Sequence, residues 1–255
     1  MLPVIHLFGI SVPTYPVMGG IACAVLWLMF ANALRRDIRG RIRFILPPAV
    51  IISALIGARL LHAAVNPNRY GANYPIWKLS YERMYLMGGI ILGMAVLYIL
   101  CHELDLPFLR ISDDLTFGAG MAMVILKAGC FLNGCCGGKP GGRFGVVFPA
   151  RSAIYDILNT PYEARRVLPV QLLECIAYLI GVIVLLLIVR KYKLPEGCRF
   201  LIYAFYVSMV RLILHPLRET TYPDIWNLVY PVLYIIILAF SAGLVIRLFY
   251  RHKKV

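Results

Sequence analysis

Four side chains that can bind an anion lie inside long apolar stretches of the sequence: Arg59, Lys127, Arg211 and His215. A charge near the centre of a bilayer costs about 2.5–3.5 kcal/mol even on the more lenient insertion scale, so such residues usually face a cavity and mark a functional path. Because these side chains are basic, they favour an anionic ligand that is reached from within the membrane. The headgroup of an anionic phospholipid is the obvious candidate.

The run VRLILHPLRE contains two of these residues and a third cation. Arg211, His215 and Arg218 are spaced i, i+4 and i+7, which predicts that they line one face of a helix, and the proline after His215 predicts a kink. Two guanidinium groups suit a phosphodiester, because each offers paired donors to two oxygens. The alternative is a structural ion-pair network with Glu174 or Glu219, and we favour ligand binding.

Arg59 and Lys127 each allow a second interpretation. Arg59 lies one turn before His62 on the same helix face, and its long side chain could extend to the membrane surface instead. For His62 alone, such an interfacial role is favoured. Lys127 precedes Asn133 and a glycine-rich loop, whose backbone N–H groups can approach an anion closely. This loop lacks the G-K-[ST] of a Walker loop.

Three cysteines, Cys130, Cys135 and Cys136, follow Lys127 in the pattern C-x4-C-C. Zinc is disfavoured, because a fourth ligand and C-x2-C spacing are missing, and we predict no metal site and no cofactor. A disulfide on an oxidising outer face and a reactive thiol activated by nearby cations both stay open. Small residues that allow close helix packing are the favoured single interpretation.

Gln171 and Glu174 lie one turn apart in the run VLPVQLLE, near the start of another apolar stretch. A carboxylate inside a membrane needs partners, and the basic side chains above can supply them. Such a glutamate could also act as a general base.

The composition identifies the kind of protein that must position these residues. The chain has 255 residues, of which 61% are hydrophobic and 15% charged. A soluble domain could not cover so much apolar surface, so a polytopic membrane protein is indicated. The formal net charge of +14 does not indicate nucleic acid, because most Lys and Arg residues flank apolar spans. We predict an all-α integral membrane protein that forms a single transmembrane domain, residues 1–255.

Seven stretches approach or exceed the roughly 20 residues that a helix needs to cross the hydrocarbon core. They are 15–34, 44–65, 84–102, 114–133, 168–189, 200–216 and 224–247. Basic segments follow the first, fifth and seventh stretches, which predicts an outside N-terminus and a cytoplasmic C-terminus. The start of the chain does not resemble a cleaved signal peptide. The extracytoplasmic loops then lie near 66–83, 134–167 and 217–223.

An ordered set of motifs resembles the prolipoprotein diacylglyceryl transferase family over most of the chain. The motifs are G-A-R-L at Gly57–Leu60, G-G-x-x-x-G at Gly88–Gly93, G-x-F-x-N-G at Gly129–Gly134, F-G-V-V-F-P at Phe144–Pro149, P-x-Q-L-x-E at Pro169–Glu174 and R-x3-H-x2-R at Arg211–Arg218. The resemblance implies a multi-pass enzyme of the bacterial plasma (inner) membrane. Family members move the diacylglyceryl group of phosphatidylglycerol onto the lipobox cysteine thiol of a prolipoprotein, and glycerol-1-phosphate leaves.

The resemblance and the residue types together predict the site. We expect catalytic roles for Arg59, Lys127, Arg211 and His215, and substrate binding by Arg218, Asn133, Gln171, Glu174, Gly88 and Gly89, with Cys130, Cys135 and Cys136 as candidate reactive thiols. The expected partners are phosphatidylglycerol or another anionic phospholipid, a prolipoprotein lipobox peptide and the bilayer, and no nucleic acid.

The sequence also departs from the family pattern near the expected chemistry. Met87 and Leu168 stand where the family usually has histidines, Lys127 replaces an arginine, Cys130 and Cys135 replace an asparagine and a glutamate, and His215 replaces a glutamate. We expect His215 to act as the base. The alternatives are a paralogous enzyme with a different acceptor, or a non-enzymatic lipid-binding protein or transporter. A transporter is disfavoured, because no internal repeat is visible.

Overall fold

The computed structural model describes residues 4–7, 10–38, 40–71, 75–77, 84–149, 152, 166–219 and 224–252. Within these ranges, seven helices are long and apolar enough to cross a membrane. They are α1 (Thr14–Ala33), α2 (Ile42–Val65), α3 (Leu86–Glu103), α4 (Phe108–Asn133), α5 (Val170–Lys191), α6 (Cys198–Leu214) and α7 (Asp224–His252). The predicted all-α membrane fold with seven spans is thereby confirmed. The orientation of the termini stays a prediction.

The helix α4 begins at Phe108, earlier than the apolar stretch that starts at 114. The added turns carry polar residues that find partners nearby. Arg110 pairs with Asp37 at 3.0 Å, and the hydroxyl group of Ser112 donates a hydrogen bond to the carbonyl of Phe108. Hydropathy alone misplaced this helix start, because a helix can continue past the membrane surface wherever its polar groups are satisfied.

The helix α6 ends at Leu214, and a 3₁₀ turn covers His215–Leu217. The prediction of one continuous helical face with a kink was therefore wrong in its geometry. Pro216 has no N–H to continue the α-helical hydrogen bonding, although His215 before it keeps α-helical backbone, with φ −55° and ψ −48°. Arg218 then has extended backbone, with φ −89° and ψ 138°.

The chain folds into two compact units. One comprises Met1–Ala22 with Ala119–Val255, and the other comprises Cys23–Gly118. In the second unit, α2 and α3 approach closely where glycines face each other. A Cβ atom at Gly88 would overlap the carbonyl of Gly57, and one at Gly89 would lie 2.8 Å from the carbonyl oxygen of Ala54. The single domain predicted from the sequence stays a prediction.

The first unit contains α5, α6 and α7 and two antiparallel sheets of two short strands each. The sheets pair β1 (Val4–Leu7) with β2 (Ile10–Pro13), and β3 (Val146–Val147) with β4 (Arg166–Val167). A further bridge joins Gly138 to Arg218, so the glycine-rich segment after α4 is attached to the end of α6. Parts of the predicted outer loops, including 72–74, 78–83, 153–165 and 220–223, lie outside the described residues.

Candidate active site

A buried carboxylate in the first unit is surrounded by three basic side chains. Glu174, in the first turns of α5, is 1% exposed. Its Oε1 atom lies 2.7 Å from Nη1 of Arg211 in α6 and 3.5 Å from Nη1 of Arg218. Its Oε2 atom pairs with the ammonium group of Lys127 in α4. The ion-pair network with Glu174, which the sequence left as an alternative, is therefore present.

The network carries more positive than negative charge. Lys127 and Arg211 are 8% and 9% exposed, and the side chain of Arg218 is 15% exposed. One carboxylate balances one of these three cations, so the four side chains together keep an excess of two positive charges. Excess charge in a low-dielectric region is costly unless an opposite charge is nearby. The arrangement therefore suits an anionic ligand as well as a structural network.

A small cavity of about 20 Å³ lies beside Glu174. Its lining residues are Glu174, Arg211, Leu214, His215, Arg218, Tyr230 and Tyr234. The predicted residues of the VRLILHPLRE run thus share one cavity, although they do not share one helical face. A cavity of this size has room for about one water molecule. A lipid headgroup could enter only if the surrounding side chains or helices moved apart.

His215 and two tyrosines form one wall of this cavity. The Nε2 atom of His215 lies 3.2 Å from the backbone oxygen of Asn227 in α7. Tyr230 and Tyr234 lie one turn apart on α7, with their ring centroids 6.5 Å apart. Neither tyrosine was predicted as a site residue, because the sequence of α7 stands out only by its hydropathy. Their i, i+4 spacing inside an apolar span was a usable signal, since Tyr carries a polar group that must be satisfied.

Gln171 lies one turn before Glu174 and is fully buried. Its Nε2 atom donates a hydrogen bond to the carbonyl oxygen of Cys135 at 2.9 Å. The other amide atom, Oε1, has no hydrogen-bond partner within the described part of the chain. A buried acceptor of this kind can receive a hydrogen bond from a ligand hydroxyl or N–H group. Asn133, the last residue of α4, is half-buried.

The three candidate thiols converge at the end of α4. The Sγ atoms of Cys130, Cys135 and Cys136 all lie within 4.8 Å of one another. Two left-handed residues produce this turn: Gly134 has φ +69° and Cys136 has φ +57°. A non-glycine residue in this region costs roughly 1–2 kcal/mol, so the strained backbone of Cys136 must be held by its surroundings.

The thiols differ in their acidity. Hydrogen bonds from Cys130 and Cys135, with the charges of Arg218 and Lys127, hold the pKa of the Cys136 thiol well below its usual range. The same hydrogen bonding, together with burial, raises the pKa of Cys135. The three thiols therefore act on one another through hydrogen bonds, and the thiolate is the nucleophilic and metal-binding form of a cysteine.

The other predicted site residues belong to the second unit. Arg59 is buried, and its Nε atom donates a hydrogen bond to the carbonyl oxygen of Ile76 at 2.9 Å. Its guanidinium carbon also lies 5.1 Å from the ring centre of Tyr70. Through these contacts, the side chain of Arg59 extends toward the segment that follows α2. Gly88 and Gly89 have an evident role in helix packing, and their role in substrate binding stays a prediction.

Comparison with known proteins decides the family. A family model described as prolipoprotein diacylglyceryl transferase matches residues 3–249. The chain belongs to this family. It is 28% identical over 224 residues to the phosphatidylglycerol–prolipoprotein diacylglyceryl transferase of Clostridium tetani, and the match covers 86% of each chain.

Other members of the prolipoprotein diacylglyceryl transferase family are similar to a comparable degree. The enzyme of the same name from Dehalococcoides mccartyi strain BAV1 is 28% identical, over 72% of this chain and 68% of its own. The enzyme of that name from Lactobacillus acidophilus is 25% identical, over 84% of this chain and 77% of its own.

The departures from the prolipoprotein diacylglyceryl transferase pattern are concentrated in the first unit. Lys127 and His215 belong to the Glu174 network and its cavity, while Cys130 and Cys135 belong to the thiol group. Lys127 is basic, like the arginine that the resemblance implies at its position. The thiols, in contrast, place sulfur atoms where the resemblance implies oxygen and nitrogen groups.

Proposed function

We propose that this chain transfers the diacylglyceryl group of phosphatidylglycerol to the lipobox cysteine thiol of a prolipoprotein and releases glycerol-1-phosphate. The proposal is supported by family membership and by the names of relatives that align over most of their length. The observation that carries it is the Glu174 network, in which two buried cations and the half-buried Arg218 surround a single carboxylate. An anionic phosphodiester has the charge and the paired oxygens that such a site accepts.

The proposed reaction is a displacement at a glycerol carbon. The acceptor thiolate attacks this carbon, the carbon–oxygen bond to the phosphate breaks, and the electron pair stays on the phosphate oxygen. Arg211, Arg218 and Lys127 bind the phosphate and offset the charge that develops on the leaving group. His215, which lines the same cavity, accepts the thiol proton.

Glu174 has a complementary role in this proposal. It pairs with Lys127 and Arg211, and it keeps these cations close together. When the phosphodiester enters, the cations gain a second anionic partner. The unpartnered Oε1 of Gln171 offers an acceptor for a hydroxyl group of the headgroup.

The proposed location is the bacterial inner membrane, with the N-terminus outside. The basic residues Arg35, Arg36 and Arg41 follow α1, and Arg190 and Lys191 end α5. With seven spans, both groups then face the cytoplasm. The glycine-rich segment that carries the thiols faces outward, on the side where a translocated prolipoprotein would present its lipobox.

A second candidate function is favoured by the changed residues. Lys127, Cys130, Cys135 and His215 all depart from the family pattern, and all lie in the unit that contains Glu174. Such a set is expected in a paralogous enzyme that uses the same phospholipid with a different acceptor. The lipid-binding part of the site is common to both candidates.

A transfer assay with purified protein tests the proposal. Protein in vesicles that contain phosphatidylglycerol is incubated with a lipobox peptide, and mass spectrometry measures the addition of a diacylglyceryl group. We expect modification of the cysteine peptide and none of a matched serine peptide. Vesicles of phosphatidylethanolamine serve as the lipid control. An unmodified peptide, under conditions in which the Clostridium tetani enzyme is active, would favour a different acceptor and overturn the proposed function.

A further inference from the structure

Cys130, Cys135 and Cys136 take no part in the proposed binding of the headgroup, yet the backbone brings their side chains together. Cys130 lies in the last turn of α4, and its carbonyl oxygen accepts a hydrogen bond from the N–H group of Cys135 at 3.1 Å. Gly134 packs against Ser152, so a side chain could not replace its hydrogen at that position. The left-handed backbone of Cys136 then turns the chain so that the third thiol joins the other two.

The separation of the three sulfur atoms is close to that of a metal site. Zinc binds thiolates at about 2.3 Å in tetrahedral geometry, which places the sulfur atoms about 3.8 Å apart. The Sγ atoms here lie within 4.8 Å of one another, so shifts of about 1 Å or less would bring them to this spacing. The C-x4-C-C spacing disfavours zinc in the sequence, but the turn at Gly134 and Cys136 removes that objection.

Two basic side chains also act on the thiol group electrostatically. The charges of Arg218 and Lys127 both reach Cys136. Three thiolates and one divalent ion carry a net charge of −1, which these cations can offset. Gln171 fixes the loop through its hydrogen bond to the carbonyl of Cys135.

Three protein ligands leave one position of a tetrahedral ion open. Structural zinc sites are normally closed by four protein ligands, whereas catalytic sites keep a position for water or substrate. The substrate of the proposed function is itself a thiol, and thiols are good zinc ligands. A zinc ion held by three cysteines could therefore bind the acceptor and keep it as a thiolate, the form that attacks carbon.

We propose that Cys130, Cys135 and Cys136 bind a zinc ion through their three thiolates, and that the fourth position of this ion binds the thiol of the acceptor peptide. The first part concerns the metal site alone, and the second part rests on the proposed function. This site would activate the acceptor thiol. The sequence lacks several of the polar groups that the family resemblance implies near the chemistry.

The proposed step conserves atoms and electrons. The acceptor thiol loses its proton to His215 as its sulfur binds the ion. A sulfur electron pair then forms the carbon–sulfur bond while the carbon–oxygen bond to the phosphate breaks, and the oxygen keeps the bonding pair. The thioether product is uncharged and a weaker zinc ligand than a thiolate, so it can leave. No oxidant or reductant is needed.

Metal analysis of the purified protein tests the site without any assay of activity. The protein is prepared with a tag that does not bind metal and analysed for zinc. The metal-free protein is then titrated with Co²⁺ and followed by its thiolate-to-cobalt absorption. We expect about one ion per chain. Losing a residue that only orients a metal ligand typically lowers the affinity for the metal by about 10–100-fold. For Cys136→Ser and Cys130→Ser, which each remove a ligand, we expect the affinity for Co²⁺ to fall by more than this.

Cys23→Ser is the matched control, because Cys23 is a half-buried free cysteine in α1 that lies outside the thiol group. It should retain the metal fully. A wild-type protein that holds no zinc and takes up no Co²⁺ would overturn the inference. A disulfide between any two of the three cysteines in freshly isolated protein would overturn it as well.

A second measurement separates this inference from the proposed function. Lipobox peptides with cysteine or serine are added to the Co²⁺-loaded protein, and we expect only the cysteine peptide to change the cobalt spectrum. Diacylglyceryl transfer that continues at the full rate in metal-free protein would overturn the binding of the acceptor by the ion and leave the proposed function intact. A spectral change without transfer to the peptide would support the zinc site and contradict the proposed function.

Discussion

At the scale of single residues, Glu174 is the group on which the first unit most depends. Its carboxylate contacts side chains from α4, α6 and the segment after α6. Removing one partner of a buried ion pair is expensive, because the remaining charges keep their desolvation cost and lose their attraction. Glu174 is therefore a structural residue that keeps the three cations together, and under the proposed function these cations bind the lipid phosphate.

The substitution Glu174→Gln should reduce stability strongly. It leaves three basic side chains around a neutral amide, and we expect the free energy of unfolding to fall by about 3–5 kcal/mol. Thermal or denaturant unfolding in detergent micelles measures the change. Glu103→Gln is the control, because the side chain of Glu103 is 72% exposed and its loss should change stability little. Equal stability of the two variants would contradict the importance of the network.

The role of His215 as a base makes a separate prediction. His215→Ala should lower the rate of diacylglyceryl transfer by about 10²–10⁴-fold, the usual contribution of general acid–base catalysis. The peptide transfer assay measures it, and His102→Ala, at an exposed position near the end of α3, should keep the wild-type rate. Full activity of the His215 variant would rule out this role.

At the scale of secondary-structure elements, helix packing shows which role a sequence motif has. The G-G-x-x-x-G motif of α3 was predicted from its family resemblance to bind substrate. In the structure, its glycines let α3 approach the backbone of α2, which is a common use of small residues between membrane helices. Both roles can belong to one motif, but only the packing role follows from the observed geometry.

Gly88→Ala should therefore disturb the α2–α3 pair. The added Cβ atom would overlap the carbonyl of Gly57, and we expect a loss of about 1–3 kcal/mol, as is usual for overpacking. Unfolding in micelles again measures the effect. Gly243→Ala is the matched control: it lies in α7 with open space around it, and its helix propensity should improve. A stable Gly88 variant would mean that the two helices separate at little cost.

The end of α6 is a second case in which the element changes the interpretation of its residues. Helical spacing correctly predicted that Arg211, His215 and Arg218 lie close together. It attributed this to a single helical face, which the structure does not have at this point. The α-helix ends before His215, and the chain continues through a 3₁₀ turn into extended backbone. The three side chains still meet at one cavity, because the turn brings the chain past the end of α6.

At the scale of the whole molecule, the proposed orientation decides which substrate the site can meet. Fusing green fluorescent protein after Val255 should give fluorescence, because that end is predicted to lie in the cytoplasm. Alkaline phosphatase inserted between residues 150 and 165 should be active, because that loop is predicted to lie outside. As the control, the two reporters are exchanged between these two positions. The reverse pattern would place the thiols in the cytoplasm and contradict the proposed access of prolipoproteins.

The sequence alone determined the membrane class, the seven spans and the identity of the basic side chains. Hydropathy is a local property, and a span of about 20 apolar residues has few alternatives to crossing the bilayer as a helix. The tertiary structure decided which residues meet. Lys127, Glu174 and Arg211 come from three different helices, and their pairing depends on packing between segments far apart in sequence. The thiol group likewise depends on two left-handed residues, whose conformation no spacing of cysteines reveals.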